Sequence, residues 1–308
     1  MTLFALIIAL LAEQVRPLPV ERAVLNPLRA LSQGLSQRFS GGRAADGRLV
    51  WGMVVVSGTV LAAVLYYLLW DLHPVFAFAF NVAVLFLTMG FRHESHFFAD
   101  IHLALRMGEI ERARSLLSAW RGGDCSEADA GEVARLAIEQ ALVAAHRNVF
   151  GAAFWFVILP GPSGAVMYRL VRFFADEWGR GAAAESGASA GFARRMFEWI
   201  DWLPVRLTAA LFSVVGDFED AIYCWRTQAL LWPDKSSAIL IASGGGALGV
   251  RLGMPVHESG EVVDRPEMGQ GGDADADHMQ GTVGLVWRAL LVFLFLLALV
   301  GLAGWVGG

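Results

Sequence analysis

The 21 residues from Val50 to Trp70, VWGMVVVSGTVLAAVLYYLLW, carry no charged side chain. A helix of about 20 residues rises ~30 Å, the thickness of a bilayer's hydrocarbon core, so this run constrains the fold more than any other feature. A second apolar run, His73 to Gly90, follows after a short turn at Asp71, Leu72 and Pro74, making a helical hairpin. A third extends from Val283 to Val306, with Trp287 and Trp305 near its ends as interfacial anchors. Composition agrees: 56% of the chain is hydrophobic and only 17% charged, where soluble domains are nearer a quarter charged.

The opening MTLFALIIALLAE offers about a dozen apolar residues, with neither a basic region before them nor a small-residue cleavage site, and Glu13 follows directly. It is read as a short or tilted first helix. The segment Val149 to Ala175 is apolar at both ends but broken at Pro160, Gly161, Pro162, Ser163 and Gly164. Each limb has about 11 residues, too few to span, so a re-entrant hairpin is expected, with two long helices joined by a tight turn as the alternative.

Arginines set the orientation. Arg16, Arg22, Arg29, Arg38, Arg43 and Arg48 lie between the first and second helices, and Arg92, Arg106, Arg112, Arg114, Arg121, Arg135 and Arg147 follow the third. The positive-inside rule makes both regions cytoplasmic and both termini extracytoplasmic, in a bacterial inner membrane. The expected fold is all-α and polytopic: about four spanning helices, a Pro/Gly-broken re-entrant hairpin and cytoplasmic helices.

Five segments follow. Residues 1–92 hold the N-terminal membrane helices and an Arg-rich loop; 93–147 form a cytoplasmic segment of two helices joined by a polar turn at Arg121 to Asp129. Residues 148–216 hold the broken hairpin and a helix bearing IDWLPVRL. Residues 217–282 hold an aromatic helix, a glycine-rich loop and a solvated acidic linker, GQGGDADADHMQ; 283–308 form the last membrane helix. Cys125 and Cys224 lack the paired spacing of a zinc or redox motif and are read as reduced thiols. The partner implied throughout is the lipid bilayer, and no nucleic-acid partner is indicated.

Chemistry-bearing residues are sparse. His93, His96 and Asp100 stand at i, i+3 and i+7, a candidate metal-binding face that equally suits an ordinary polar helix end. The glycine-rich Ser243 to Gly253, including Gly246, lets backbone approach an anion with Arg251 as the cation, or is a tight loop; it lacks the GK[ST] of a phosphate-binding loop. Arg147, Arg169, Arg172 and Arg206 flank short apolar segments as positive-inside anchors, or line a pocket for an anionic ligand.

Three blocks, FWFVILPGPSGAVMYR (Phe154 to Arg169), IDWLPVRL (Ile200 to Leu207) and GALGVRLG (Gly246 to Gly253), resemble in order blocks of the CobD/CbiB family. GEIERARSLLSAW and SGEVVDRPEMG are similar to further segments of it, so that the resemblance covers most of the chain from about residue 94. The resemblance implies a membrane protein of cobalamin biosynthesis, a synthase that joins an aminopropanol derivative to adenosylcobyric acid with ATP and magnesium. Departures from the family pattern remove acidic residues: Val143 to Asn148 stand where the family has E-N-T-S-D-G, Arg172 to Ala175 replace N-T-L-D, and Arg195 to Glu198 replace R-L-D-D. The opening MTLF, AAFWFVILPGP and IDWLPVRL also resemble the AmpE-type branch, associated with β-lactamase induction.

On the missing carboxylates, the expected function is a non-synthase, AmpE-like member acting in cell-envelope signalling through an anionic small molecule or protein partner, with no cofactor required. The alternative is the ATP- and magnesium-dependent synthase, with Glu139, Glu198 or Asp201 taking over metal binding. A transporter is disfavoured, because the hydropathy shows no inverted repeat. The ligand-binding residues expected are Arg169, Arg206, Gly246 and Arg251, with no catalytic residue assigned.

Overall fold

The computed structural model describes residues 2–15, 26–30, 44–179, 188–232, 234–258 and 261–306. Arg16, Arg22, Arg38 and Arg43 of the orientation argument lie outside them, as does the side chain of Trp305. In chain order come helices α1 (Thr2–Val15), α2 (Ala44–Leu72), α3 (Pro74–Met89), α4 (Phe91–Arg106), α5 (Ile110–Arg121) and α6 (Ala130–Ala145). A π-helical turn, His146–Phe150, leads into α7 (Gly151–Ile158), and α8 (Ser163–Trp178), α9 (Ala188–Val215), α10 (Phe218–Gln228) and α11 (Lys235–Leu248) follow. Short strands β1 (Arg251–Leu252), β2 (Val256–Glu258), β3 (Glu261–Val263) and β4 (Met268–Gly269) pair antiparallel, β1 with β4 and β2 with β3, before the long helix α12 (Ala276–Val306).

Among the described residues, Gly47–Leu72, Ala130–Ile158 and Ala276–Gly304 are long and apolar enough to cross a bilayer. The chain is an all-α, multi-pass membrane protein. Local chemistry sets the helix starts: Asp129, Asp217 and Asp234 each accept backbone N–H groups from the first turn of α6, α10 and α11. His73 does the same for α3, with Pro74 at its first position and Gly90 closing it in the left-handed conformation.

Four expectations are corrected. The limb before the Pro160 break is not 11 residues long, because α6 and the π-turn extend it back to Ala130; buried Glu132, Arg135 and Glu139 hid that continuity from a hydropathy reading. The segment after Phe91 holds three helices rather than two, because Gly108, at φ 74°, separates α4 from α5. Ser243 to Leu248 is helix, not loop, its glycines required by close neighbours instead of by turn geometry. GQGGDADADHMQ is not a linker: Gly269 ends β4, Gly272 bridges Val250, and Asp275 accepts N–H bonds from Asp277 and His278 to start α12 well before Val283.

The described chain divides into two compact units, one of Met1–Gly90 with Gly151–Trp202, the other of Phe91–Phe150 with Leu203–Gly308. In the first, α2 and α8 pack around Val54, Val55, Tyr168, Leu170, Val171, Phe174 and Phe197. The break at Gly161 (φ 59°) folds α8 tightly onto α7: a Cβ on Gly164 would stand 1.9 Å from the Trp155 carbonyl. Pro204 leaves the Ile200 carbonyl without its helical donor, and the Trp155 indole N–H donates to it at 3.3 Å. In the second unit α6 is central, packed by α4, α5, α11 and α12.

Candidate functional site

One face of α6 gathers the polar groups of the second unit. Glu132, Arg135 and Glu139 stand at i, i+3 and i+7, one stripe of a helix, and all three are buried. A buried charge is tolerable only when paired, and each finds its partners in the strand-rich segment after α11. Glu139 Oε1 accepts the Gly253 N–H at 2.9 Å, and both its oxygens accept from Arg265, at 3.0 and 3.2 Å. Arg265 also donates to the carbonyls of Met254 and Gly253 and lies 5.0 Å over the Trp232 ring. Arg135 donates to the Pro255 carbonyl at 2.7 Å, and Glu132 accepts both the backbone N–H of His257 (2.7 Å) and its Nδ1 (2.8 Å). Those bonds from Glu132 raise the His257 pKa above its ordinary value.

The backbone of this segment bends sharply, with Gly253 (φ 70°) and Met254 (φ 61°) both left-handed. Gln228 clamps β4, donating to the Gly269 carbonyl at 3.0 Å and accepting its N–H at 2.7 Å. Arg251 reaches Asp273 at 2.5 Å, while its buried Nε has no hydrogen-bond partner among the described residues.

At the other end of α6 the π-turn carries His146 and Arg147. π-Turns widen a helix locally and re-aim its side chains, often at functional sites. His146 is fully buried, with Nδ1 2.9 Å from Thr208 Oγ1 on α9; that hydroxyl donates to the Pro204 carbonyl. Arg147 donates to Asp234 at 3.3 Å, where Asp234 starts the glycine-bearing α11. The second unit thus joins α6, the Pro204–Thr208 turn and α11 through named polar contacts.

The residues expected from the sequence are distributed as follows. Arg169, on α8, belongs to the first unit; Arg206, Gly246 and Arg251 belong to the second. Gly246 is a packing position, since a Cβ there would stand 2.6 Å from the Asp220 carbonyl oxygen. His93, His96 and Asp100 are exposed on α4, where Arg92 donates to His96 at 3.0 Å and His93 meets the Phe97 ring edge-on. Glu198 is exposed, and buried Asp201 accepts the Tyr168 hydroxyl at 2.9 Å. No three His, Cys, Asp or Glu side chains converge on a metal position among the described residues. Glu132, Arg265, Gln228, His146 and Thr208 were missed by the sequence reading. Only the Glu132–Arg135–Glu139 stripe had a visible signal, helical spacing of charges in an otherwise apolar helix.

A family model described as CobD/Cbib protein matches residues 3–286. Among curated proteins, the chain is 33% identical over 272 residues to the cobalamin biosynthesis protein CobD of Stutzerimonas stutzeri, covering 87% of each. It is 34% identical over 218 residues to that of Chromobacterium violaceum, covering 70% of this chain and 69% of the other. It is 28% identical over 287 residues to the cobalamin biosynthesis protein CbiB of Salmonella typhimurium, covering 88% of each. No solved structure matches. These relatives overturn the expected non-synthase, AmpE-like role in envelope signalling: all three are named for cobalamin biosynthesis.

Proposed function

The chain belongs to the CobD/CbiB family, and from that premise we propose that it is a membrane enzyme of cobalamin biosynthesis, the amide-forming synthase that couples an aminopropanol derivative to adenosylcobyric acid. The observation that carries the reading is a relative named for that pathway aligning over 87% of both chains. The proposed membrane is the bacterial cytoplasmic one, with the arginine-bearing helices α4 and α5 facing the cytoplasm.

ATP supplies the acyl activation in such a reaction, and magnesium is its usual companion, held by one or two carboxylates together with substrate phosphates. The carboxylates present do not fit a preformed magnesium cage. Glu139 is closed by Arg265 and the Gly253 N–H, Asp201 takes the Tyr168 hydroxyl, and Glu198 is exposed. What the chain's own residues supply is shape and positive charge. The bonds from Glu132, Arg135 and Glu139 hold residues 253–265 against α6, and Arg251, with a guanidinium edge still unsatisfied, is the cation we assign to a substrate phosphate or carboxylate. Arg169 and Arg206 are retained as further candidate cations.

The test is purified full-length protein in nanodiscs with adenosylcobyric acid, aminopropanol phosphate, ATP and magnesium, read by mass spectrometry beside an active synthase. Amide product supports the assignment. Its absence from folded protein, while the control works, overturns it.

A further inference from the structure

Arg251 sits where two segments of the second unit run close against each other. Its N–H donates to the Gly272 carbonyl at 2.8 Å, and the Gly272 N–H donates to the Gly249 carbonyl at 3.1 Å. The approach requires glycine: a Cβ on Gly271 (φ 125°) would stand 2.0 Å from the Gly249 carbonyl oxygen. This backbone pairing sets Asp273 beside Arg251, where Asp273 Oδ1 accepts from Nη2 at 2.5 Å.

The neighbouring aspartates have structural partners. Asp275 accepts the N–H groups of Asp277 and His278 to start α12, and Asp277 accepts from Arg106 of α4 at 2.6 Å. Asp273 holds Arg251 through one oxygen, and its side chain is 76% exposed, so it can swing into water at little cost to the fold. Nε and Nη2 share one edge of the guanidinium, and the buried Nε has no hydrogen-bond partner among the described residues. An oxyanion that places two oxygens on that edge makes the bidentate pair that Asp273 does not.

We infer that Asp273 is a placeholder in the anion seat of Arg251, and that the seat selects phosphate over carboxylate. This rests on the synthase reading and narrows the ligand assigned to Arg251 from either anion to phosphate. A seat already filled by a carboxylate offers a second carboxylate of equal charge little gain on exchange. A phosphate carries up to two negative charges and more oxygens, so it displaces Asp273 and fills both Nε and Nη2. Discrimination comes from the contact that must be broken as well as from the one that is made. ATP and aminopropanol phosphate carry the phosphate groups of the proposed reaction, and adenosylcobyric acid carries the carboxylate.

Full-length protein in nanodiscs tests this with Asp273→Asn, which removes the charge and keeps the shape, and with Asp273→Ala. KM for each substrate is measured by mass spectrometry with the others saturating. Because an exposed ion pair is weak, KM should fall roughly 2- to 5-fold for ATP or for aminopropanol phosphate, whichever Arg251 holds, and stay unchanged for adenosylcobyric acid. A KM that rises or stays constant for both phosphates overturns the inference, and so does a fall for adenosylcobyric acid. Inorganic phosphate and acetate, titrated in thermal melts, give a readout that needs no turnover. Phosphate should protect both variants at roughly 2- to 5-fold lower concentration than wild type, and Arg251→Ala should lose that protection. Equal protection by acetate, or none by phosphate, overturns the placeholder. Wild type that makes no product but shows this phosphate effect refutes the synthase reading alone.

Discussion

Replacing Glu139 by alanine removes the acceptor of three hydrogen bonds at once, one from the Gly253 N–H and two from Arg265. Both side chains of the ion pair are little exposed, 8% for Glu139 and 12% for Arg265, so solvent cannot replace the lost partner. Breaking a buried pair costs roughly 3–5 kcal/mol, because the remaining charge stays buried. Arg265 keeps two carbonyl acceptors and the Trp232 face, which holds the expected cost near the lower end, about 3 kcal/mol. At ~1.4 kcal/mol per decade, the local opening equilibrium of residues 253–265 should then rise roughly 100-fold.

Hydrogen exchange in nanodiscs reads that change at one amide. The Gly253 N–H should exchange about 100-fold faster in Glu139→Ala, while Gly269, held separately by Gln228, should change much less. Glu139→Gln, which keeps an acceptor oxygen, should lose about half as much free energy, ~1–2 kcal/mol. If Gly253 exchange in Glu139→Ala stays within about threefold of wild type, the clasp does not hold this segment and the reasoning is wrong.

Gly246→Ala would place a Cβ 2.6 Å from the Asp220 carbonyl oxygen and 2.7 Å from Ala221 Cα, both backbone, so a loss of about 1–3 kcal/mol is expected in thermal melts. Gly284→Ala, which meets nothing within 4 Å on α12, is the matched control and should be neutral or stabilising; equal effects of the two would refute the packing account. Because Glu132 raises the folded-state pKa of His257, docking of β2–β3 gains a contribution fully present below the unfolded value of 6.5 and lost as pH rises through the folded one. Exchange at the residue-257 amide, which donates to Glu132, should therefore show an extra loss of protection on going from pH ~6 to ~8.5, and His257→Ala should abolish that extra loss; the same dependence in both proteins would disprove the link. Cys224 is buried and its thiol is pushed up to about 11, so native protein should resist maleimide at neutral pH until it is unfolded. Rapid labelling of folded protein would contradict this burial.

The bilayer requirement was readable from composition alone. Val50 to Trp70 and the apolar half of α12 span by length and absence of charge, properties that need no tertiary information. The starts of α10 and α11 were carried equally locally, by Asp217 and Asp234. The length of α6 was not readable, because its buried charges look like those of a water-exposed helix until Arg265, His257 and Pro255 are seen to meet them. Ser243 to Leu248 illustrates the same limit: a glycine run favours a loop by intrinsic propensity, and only Leu142, Gly269 and Asp220 pressing on Gly244, Gly245 and Gly246 show why small residues stand in a helix.

For the site, the blocks around Arg169, Arg206 and Arg251 identified the family, because short motifs survive where the rest of a sequence drifts. Their resemblance could not supply the partners. Glu139 was chosen as a replacement metal ligand, and the fold gives it to Arg265, 126 residues away, and to the Gly253 N–H. Sequence alone determined the solvent of this protein, since hydropathy is summed residue by residue. Which charges are free to meet a substrate was decided only by the tertiary structure, because a buried carboxylate takes its role from whatever donor the rest of the chain brings to it.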